Sequence, residues 1–567
     1  MTIPTVAQPA FSPAPSPAVH RCVVCGATRV AHKFTTREIP VWECSRCHLV
    51  FLHPQSIDEV LTGSSSEATL MEGDSEQDRA ITSAETARLH LERLVAYMGP
   101  QRGRLIEMGC GTGDFLQAAR DAGFQIQGMD VSARSCQIAN QRLGGPFVLC
   151  GNAENLEPPT EPYDVCALFE MIEHVRNPEK LLQRLRAFLK PDGVLFLCAP
   201  SLDSWSARVM RKHWPEFKTE HLTYFGVETI RNLLAKTGYT RVEVSPHYEA
   251  LTVDTIHRHF QRFPVAGVSR VLDAVRNLIP DRLRRVPFRF AVSGMNVLGR
   301  VSEKRERPLL SLILPVYNEK KTFPALMERV LGKTVPGVDR EIVIIESNST
   351  DGSREEVEKF RNAPSVRILY EDRPRGKGHA VRAGLEQAVG DFVLIQDADL
   401  EYDVDDYDEL LEPLCNYSRA FVLGSRHIHG WKIRHFSTQP GLSTVMNLAH
   451  WGFTTLLNLA CQSHMQDPFT MYKVFRRDCL HGLTLTANRF DFDWELVIKL
   501  LRKGYVPLEI AVNYHSRSFR DGKKVAFFRD PITWVWALLR YRIEPLRWPG
   551  PRTHAAVSAG RTRGSQK

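Results

Sequence analysis

Residues 392–401 read FVLIQDADLE. The four apolar side chains Phe392, Val393, Leu394 and Ile395 read as a buried strand. The run stops at Gln396, and two carboxylates follow with one residue between them, Asp397 and Asp399. A strand that ends in an acidic pair can hold a divalent cation. Carboxylate oxygens suit Mg2+ or Mn2+, which keep waters and share the phosphate oxygens of a substrate. Alone, Asp-x-Asp fits a solvated turn equally well, so the surrounding pattern has to decide.

A chain of 567 residues is too long for one core and implies several units. Its net charge of +8 permits acidic substrates or an anionic membrane surface without demanding nucleic acid. The nearest approach to a membrane span, 443–462, is broken by Asn447, His450 and Asn458. The N-terminus lacks a basic start followed by an apolar core, so no secretory signal is expected. Twelve cysteines in so long a chain do not suggest a disulfide scaffold, and a reducing, cytoplasmic setting is expected. Residues 1–19, rich in Pro and Ala, should be disordered. Cys22-Val-Val-Cys25 and Cys44-Ser-Arg-Cys47 are two C-x-x-C knuckles at zinc-ribbon spacing, expected over 20–55. Four thiolates close a tetrahedral site, which marks a structural Zn2+.

Residues 86–98 carry apolar side chains at helical spacing. In residues 103–123 a short strand (Leu105, Ile106) ends at Glu107 and a glycine-rich turn. A helix then starts near Asp114, with Phe115, Leu116 and Ala119 on its buried face. Asp130 follows the next strand, where an acidic residue can hold ribose hydroxyls. Further strands are expected at 147–149, 163–169 and from 189 onward. The motif E-x-G-x-G-x-G, Asp130, EHV at 173–175 and LKPDG at 189–193 occur in that order. With them, residues 103–240 resemble the class I S-adenosylmethionine-dependent methyltransferases. The resemblance implies a Rossmann-like domain over 85–302. It places Glu107, Gly109, Gly111 and Gly113 around the methionine moiety of the cofactor and Asp130 on its ribose. Asn152, Ala153 and Glu154 would lie near the adenine. Methyltransferases of this layout with a zinc ribbon include enzymes acting on nucleotide-linked sugars, some with a Glu-His pair and an upstream His near the acceptor. Glu220-His221 and His174 match those positions, implying that His174 or His221 accepts a proton. Lys218 stands where a Tyr is expected. Residues 282–290 read as a solvated basic face and 303–308 as a linker.

Residues 309–545 repeat the strand–helix alternation of a parallel sheet. Strands at 309–317, 341–345 and 366–370 precede the one at 392. Acidic residues at successive strand ends and the Gly-Lys-Gly turn at 376–378 describe a site for a nucleoside diphosphate and a cation. LPVYNE (314–319), GKGHAVRAG (376–384), DADL (397–400), GSR (424–426), DPFTMYKVFRR (467–477), YHSR (514–517) and GKK (522–524) complete the pattern. This half resembles the GT-A family 2 glycosyltransferases of the dolichol- or polyprenyl-phosphate mannosyltransferase type. The resemblance implies Pro315, Tyr317 and Glu319 at the nucleotide, Glu346 facing the base and Lys377 in the diphosphate turn. Asp397 and Asp399 would hold the metal, with Gln396 nearby. Arg426, Asp467, Arg517 and Lys523 belong to the phosphate-binding motifs. ESNSTDG at 346–352 stands where DDGSTDG is commoner, which leaves uridine or guanosine open. A phosphate acceptor needs no general base, whereas a hydroxyl acceptor does, and Glu495 in FDFDWEL is the candidate.

The apolar segment 442–460 and the aromatic, basic segment 525–541 suit a membrane interface. Residues 546–567 should be a disordered basic tail. The expected fold is α/β: a small zinc ribbon, a Rossmann-like methyltransferase domain and a GT-A doubly wound glycosyltransferase domain. The expected activity is bifunctional. It combines methyl transfer from S-adenosylmethionine with glycosyl transfer from a nucleotide-sugar donor to a polyprenyl-phosphate, glycan or metabolite acceptor, on the inner face of a membrane or free of it. An alternative keeps the glycosyltransferase active and makes the methyltransferase half a docking module. A nucleic-acid modifier would need an interleaved basic and aromatic platform, which is lacking.

Overall fold

The computed structural model describes residues 21–36, 39–52, 76–152, 157–262, 268–426, 440–516 and 529–546. The expectations for 1–19, for the tail beyond 546, and for Ala153, Glu154, Arg517 and Lys523 lie outside the described residues.

Strands β1 (Val30–Thr36), β2 (Ile39–Cys44) and β3 (Val50–Leu52) form an antiparallel meander, with the first cysteine knuckle just before β1 and the second at the turn between β2 and β3. The next unit is built on β4 (Arg104–Met108), β5 (Gln125–Asp130), β6 (Val148–Cys150), β7 (Tyr163–Phe169) and β8 (Leu189–Pro200), all parallel. A short strand β9 (Thr223–Tyr224) leaves this unit and pairs with β3, so the ribbon sheet is completed by the larger domain. Two long strands, β10 (Tyr239–Leu251) and β11 (Phe288–Val301), close the sheet antiparallel, giving the order β10-β11-β8-β7-β4-β5-β6. The helix Asp114–Asp121 buries Phe115, Leu116 and Ala119, as its spacing predicts. The chain leaves β4 toward β5 on one side and has β7 on the other. This is the switch point where ligands of open α/β sheets bind.

The second sheet repeats the device. Strands β12 (Leu309–Val316), β13 (Asp339–Glu346), β14 (Val366–Tyr370), β15 (Phe392–Ile395), β16 (Phe421–Ser425), β17 (Lys473–Arg476) and β18 (Leu508–Ala511) lie in the order β14-β13-β12-β15-β17-β16-β18. Parallel pairing runs through β12, with β13 on one side and β15 on the other. Strand β17 is antiparallel to both β15 and β16. The register Ile313↔Ile395 brings Pro315–Tyr317 and Asp397–Asp399 out side by side at one sheet edge.

The helix Val227–Lys236 buries six consecutive residues, Thr229 to Leu234. A helix covered all round lies between two bodies. Ile230, Leu233 and Leu234 pack in the core shared by the first sheet and the cysteine knuckles. On the other side Arg231 donates to the Lys503 carbonyl and lies 4.7 Å over the Tyr505 ring. Asn232 Nδ2 donates to the Ser418 carbonyl at 3.3 Å. The second knuckle joins this junction: Arg419 Nη1 donates to the Arg46 carbonyl at 3.0 Å. The linker is tied down as well, with Arg305 Nη1 donating to Val389 O and pairing with Asp391 Oδ2, both at 3.1 Å.

Candidate functional site

A cavity of about 830 Å3 opens at the C-terminal ends of β12 and β15. Pro315, Tyr317, Glu319, Lys377, Asp397, Asp399 and Arg426 all line it, so the sheet register collects seven of the residues singled out from sequence. Lys377 Nζ contacts Asp397 Oδ1, which places an ammonium against the acidic pair. Asp399 Oδ1 accepts the Glu401 N–H at 3.2 Å, and Leu400 between them sits at φ +60°. A leucine in the left-handed region is strained, and such strain concentrates at ligand sites. Gly376 has φ +105°, and a Cβ there would collide with the Asn488 carbonyl. The glycine thus lets the helix Lys377–Gln387 start against residues 487–489 and aims Lys377 at the acids. Arg489, Asp493 and His450 also line the cavity and were missed from sequence. Asp493 Oδ1 accepts from buried Lys473 at 2.9 Å.

Four expected site residues do not face the cavity. Gln396 is fully buried: its amide oxygen accepts from Tyr407 and Tyr472 hydroxyls at 2.8 and 2.7 Å, and Nε2 donates to the Asp397 carbonyl at 2.9 Å. It braces the acidic turn from within the core. Asp467 is also fully buried and takes two hydrogen bonds of 2.7 Å from Arg426 Nε and Nη2. Burial alone would raise this carboxyl, but the guanidinium holds it well below the usual carboxylate range. Asp467 therefore positions Arg426. Glu346 turns back on its own loop, accepting the N–H groups of Asn348 and Ser349 at 3.2 and 2.7 Å, while Ser347 lines the cavity in its place. Glu495 is not a base facing substrate. It is sealed from solvent, with its oxygens taken by Thr486 N–H and hydroxyl, Ala487 N–H at 2.7 Å and Lys499 Nζ at 2.5 Å.

In the first sheet, Gly109, Gly111 and Gly113 occupy φ +71°, +50° and +78° at the end of β4. Asp130 at the end of β5 accepts the Gly111 N–H and the Ser132 N–H, both at 2.9 Å, fixing the turn between the two strand ends. Glu107 is buried, and its Oε2 has no hydrogen-bond partner. Burial, then the neighbouring Asp114 and Asp130, pushes this carboxyl well above its ordinary value. An orphaned buried oxygen beside a glycine turn fits a polar ligand group that would satisfy it. Asn152 lies exposed beyond β6. His174 and His221 come together, with ring centroids 4.8 Å apart at 80°. Glu173 and Glu170, which sequence reasoning passed over although EHV contains the first, lie beside them.

The four knuckle cysteines converge: Cys22 Sγ–Cys47 Sγ and Cys25 Sγ–Cys44 Sγ are each 3.5 Å. Thiolates around a tetrahedral Zn2+ with ~2.3 Å bonds stand about 3.7 Å apart, so the geometry fits that ion.

Residues 82–244 match the family model described as a methyltransferase domain, and residues 311–483 match glycosyl transferase family 2. A dolichol-phosphate mannosyltransferase of Pyrococcus furiosus is 23% identical over 243 residues, spanning 42% of this chain and 64% of its own length. The human dolichyl-phosphate beta-glucosyltransferase is 28% identical over 246 residues, 40% of this chain and 71% of that enzyme. Among solved structures, a Thermotoga maritima protein described as a SAM-dependent methyltransferase aligns with 40% of this chain and 94% of its own, at 23% identity and a TM-score of 0.28. The chain therefore joins a methyltransferase domain to a glycosyltransferase domain of family 2.

Proposed function

We propose that the second domain transfers a sugar from a nucleotide-sugar to a polyprenyl phosphate at a membrane surface, and that the first methylates an acceptor with S-adenosylmethionine. One observation carries the glycosyl-transfer reading. The helix Pro440–Cys461 presents Met446, Ala449, His450 and Phe453 to the cavity and Val445, Leu448, Trp451 and Leu459 to solvent. The neighbouring helix Arg529–Ile543 adds exposed Trp536, Leu539 and Ile543. A helix with an exposed apolar face beside a polar catalytic edge suits an acceptor whose phosphate enters the cavity while its chain stays in lipid. Among the described residues no helix is long and apolar enough to cross a membrane. The two relatives, a dolichol-phosphate mannosyltransferase and a dolichyl-phosphate beta-glucosyltransferase, agree with this acceptor class.

Tyr317, Glu319 and Ser347 would hold the nucleoside. Asp397 and Asp399 would hold Mg2+ or Mn2+, a fit supported by the ammonium already drawn to Asp397. Such a cation neutralises charge on a leaving diphosphate. Arg426 and Lys377 add fixed positive charge at the same edge, where charge develops. The acceptor phosphate oxygen attacks the anomeric carbon, the bond to the diphosphate breaks, and the configuration inverts. The acceptor is already anionic, so the reaction needs no base, consistent with a sealed Glu495.

In the first domain Asp130 and the glycine turn would cradle the ribose and methionine moieties. The ribbon cysteines would hold structural Zn2+. The test is a screen of sugar nucleotides with polyprenyl phosphate and Mn2+, read by mass spectrometry with and without S-adenosylmethionine. Lipid-linked sugar formed by the wild type and reduced more than about 100-fold in Asp397→Asn/Asp399→Asn supports the reading. Equal turnover in that variant refutes it. Binding of S-adenosylmethionine, abolished by Gly109→Arg, separates an active methyltransferase from a docking module.

A further inference from the structure

After β7 the chain turns through EMIEHV, residues 170–175, and a single 3-10 turn, Ile172–His174, carries both Glu173 and His174. The Leu222 N–H donates to the Glu173 carbonyl at 2.7 Å, which draws His221 alongside. One ligand atom from each of Glu173, His174 and His221 lies within 4.8 Å of the others. Donors around an ion with bonds of ~2.1 Å stand about 3–4 Å apart, so small rotations close the set.

The hydrogen bonds define what each group offers. His174 Nδ1 faces the Glu220 carbonyl and His221 Nδ1 the Glu216 carbonyl, both at 2.9 Å. A carbonyl oxygen only accepts, so each Nδ1 carries the proton and each Nε2 keeps a lone pair. Burial lowers both histidines. Glu173 is 1% exposed, and neither of its carboxylate oxygens has a hydrogen-bond partner. Lys218, the cation beside the cluster, is paired with Glu216 at 3.0 Å. The nearest further acid, Glu170, accepts from Cys198 Sγ at 3.2 Å. Burial, then the neighbouring Glu170, pushes the Glu173 carboxyl well above its ordinary value, so ionising it there is costly unless a cation stands beside it. A proton-accepting role for the histidines leaves that cost unexplained.

We propose that Glu173, His174 and His221 form a second metal centre, for a divalent first-row cation such as Zn2+ or Mn2+. Two neutral imidazoles and a carboxylate are a donor set for such ions. Metal-ligating histidines ordinarily donate their other ring N–H to a carbonyl or carboxylate, as both do here. Met171 of the same turn packs on the glycine turn: a Cβ added at Gly109 would lie 3.6 Å from its Sδ. The centre thus stands beside the cofactor cradle. Three protein ligands leave positions for an acceptor oxygen, which selects an alcohol or vicinal diol as the methyl acceptor. In that transfer the bound hydroxyl releases its proton to water, and its oxygen forms the bond to the methyl carbon. The sulfonium S–C bond breaks and its electron pair stays on sulfur. The choice of acceptor rests on the methyltransferase reading; the metal centre does not.

The test is metal content of the full chain after equilibration with Zn2+, and in parallel Mn2+ binding followed by electron paramagnetic resonance without nucleotide. Wild type, Glu173→Gln, His174→Ala/His221→Ala and Asp397→Asn/Asp399→Asn are compared. The wild type should bind one ion more than Glu173→Gln and than the His variant, with at least a 100-fold loss of affinity in those two, and the Asp variant should keep the ion that they lose. Glu173→Gln keeps the shape and removes a carboxyl whose charged form burial disfavours, so its melting temperature without metal should equal or exceed that of the wild type. Equal ion counts in the wild type and Glu173→Gln overturn the metal centre. Loss of the ion in Glu173→Gln together with methylation only of amines or carbon upholds the centre and overturns the alcohol assignment.

Discussion

Arg426 and Asp467 face each other in a two-point ion pair, Nε to Oδ2 and Nη2 to Oδ1, each at 2.7 Å, with the carboxylate fully buried and the guanidinium at the cavity wall. The geometry fixes the direction of the only arginine carried on the GSR turn. Removing the carboxylate should therefore cost both fold and chemistry. Asp467→Ala is expected to lose about 3–5 kcal/mol of stability, since it leaves a buried guanidinium unpaired. Urea unfolding measures this. The Asp467 carboxyl is held below its unfolded value, so the pair's contribution is present above the unfolded pKa and disappears as pH falls through the folded one. The stability difference from wild type should narrow in acid.

Glu495→Gln should act on stability and leave turnover nearly intact. Lys499 loses its charged partner and Thr486 an acceptor. A loss of about 2–4 kcal/mol is expected, with turnover within about twofold of wild type at 20 °C. A large fall in turnover at unchanged stability would restore a catalytic role for this residue.

Glu228, in the first turn of the junction helix, has a buried Oε1 without a partner, and burial raises its carboxyl to about 7. Arg419, His48 and Arg476 are the positive groups that oppose the rise. With the folded value above the unfolded one, the folded state is favoured when the group is protonated. Stability should fall as pH rises from about 4.5 to 7 and level off above. Glu228→Gln should remove that slope and gain about 1–3 kcal/mol at pH 8 but little at pH 4.5. Thermal melts at the two pH values decide it.

Chelation of Zn2+, or Cys44→Ser, should disturb more than the ribbon. Cys22, Cys44 and Cys47 share a core with Phe225, Ile230 and Tyr239, and β3 pairs with β9. A fall in melting temperature of more than about 5 °C is expected for the methyltransferase domain. Hydrogen exchange should rise at Thr223–Tyr224. An unchanged exchange pattern there would show the ribbon to be an appendage.

Much of both sites was legible because strand ends, glycine turns and acids are adjacent in sequence. β4 with its glycines and β15 with Asp397 and Asp399 fall where the pattern puts them. Direction was not legible. Asp493 and Glu495 stand two positions apart on the helix Asp491–Arg502, about 200° around its axis. Only one can face the cavity, and it is Asp493. Gln396 and Asp467 occur in functional motifs yet point inward, because the motif carries the support along with the contact. The pairing of Glu173 and His174 with His221 needed the backbone bond from Leu222, which no spacing rule supplies.

The polar side of the helix Val227–Lys236 bears on how this chain could be taken apart. Arg231 and Asn232 belong to the first domain by sequence, yet their hydrogen bonds end on carbonyls of the second. Cutting at 303–308 would strand a guanidinium and an amide on one fragment and bare the Ser418 and Lys503 carbonyls on the other. Neither fragment would carry its native surface. Activities measured on separated halves would report on altered proteins, and shuffling either half onto another partner would require rebuilding this helix first.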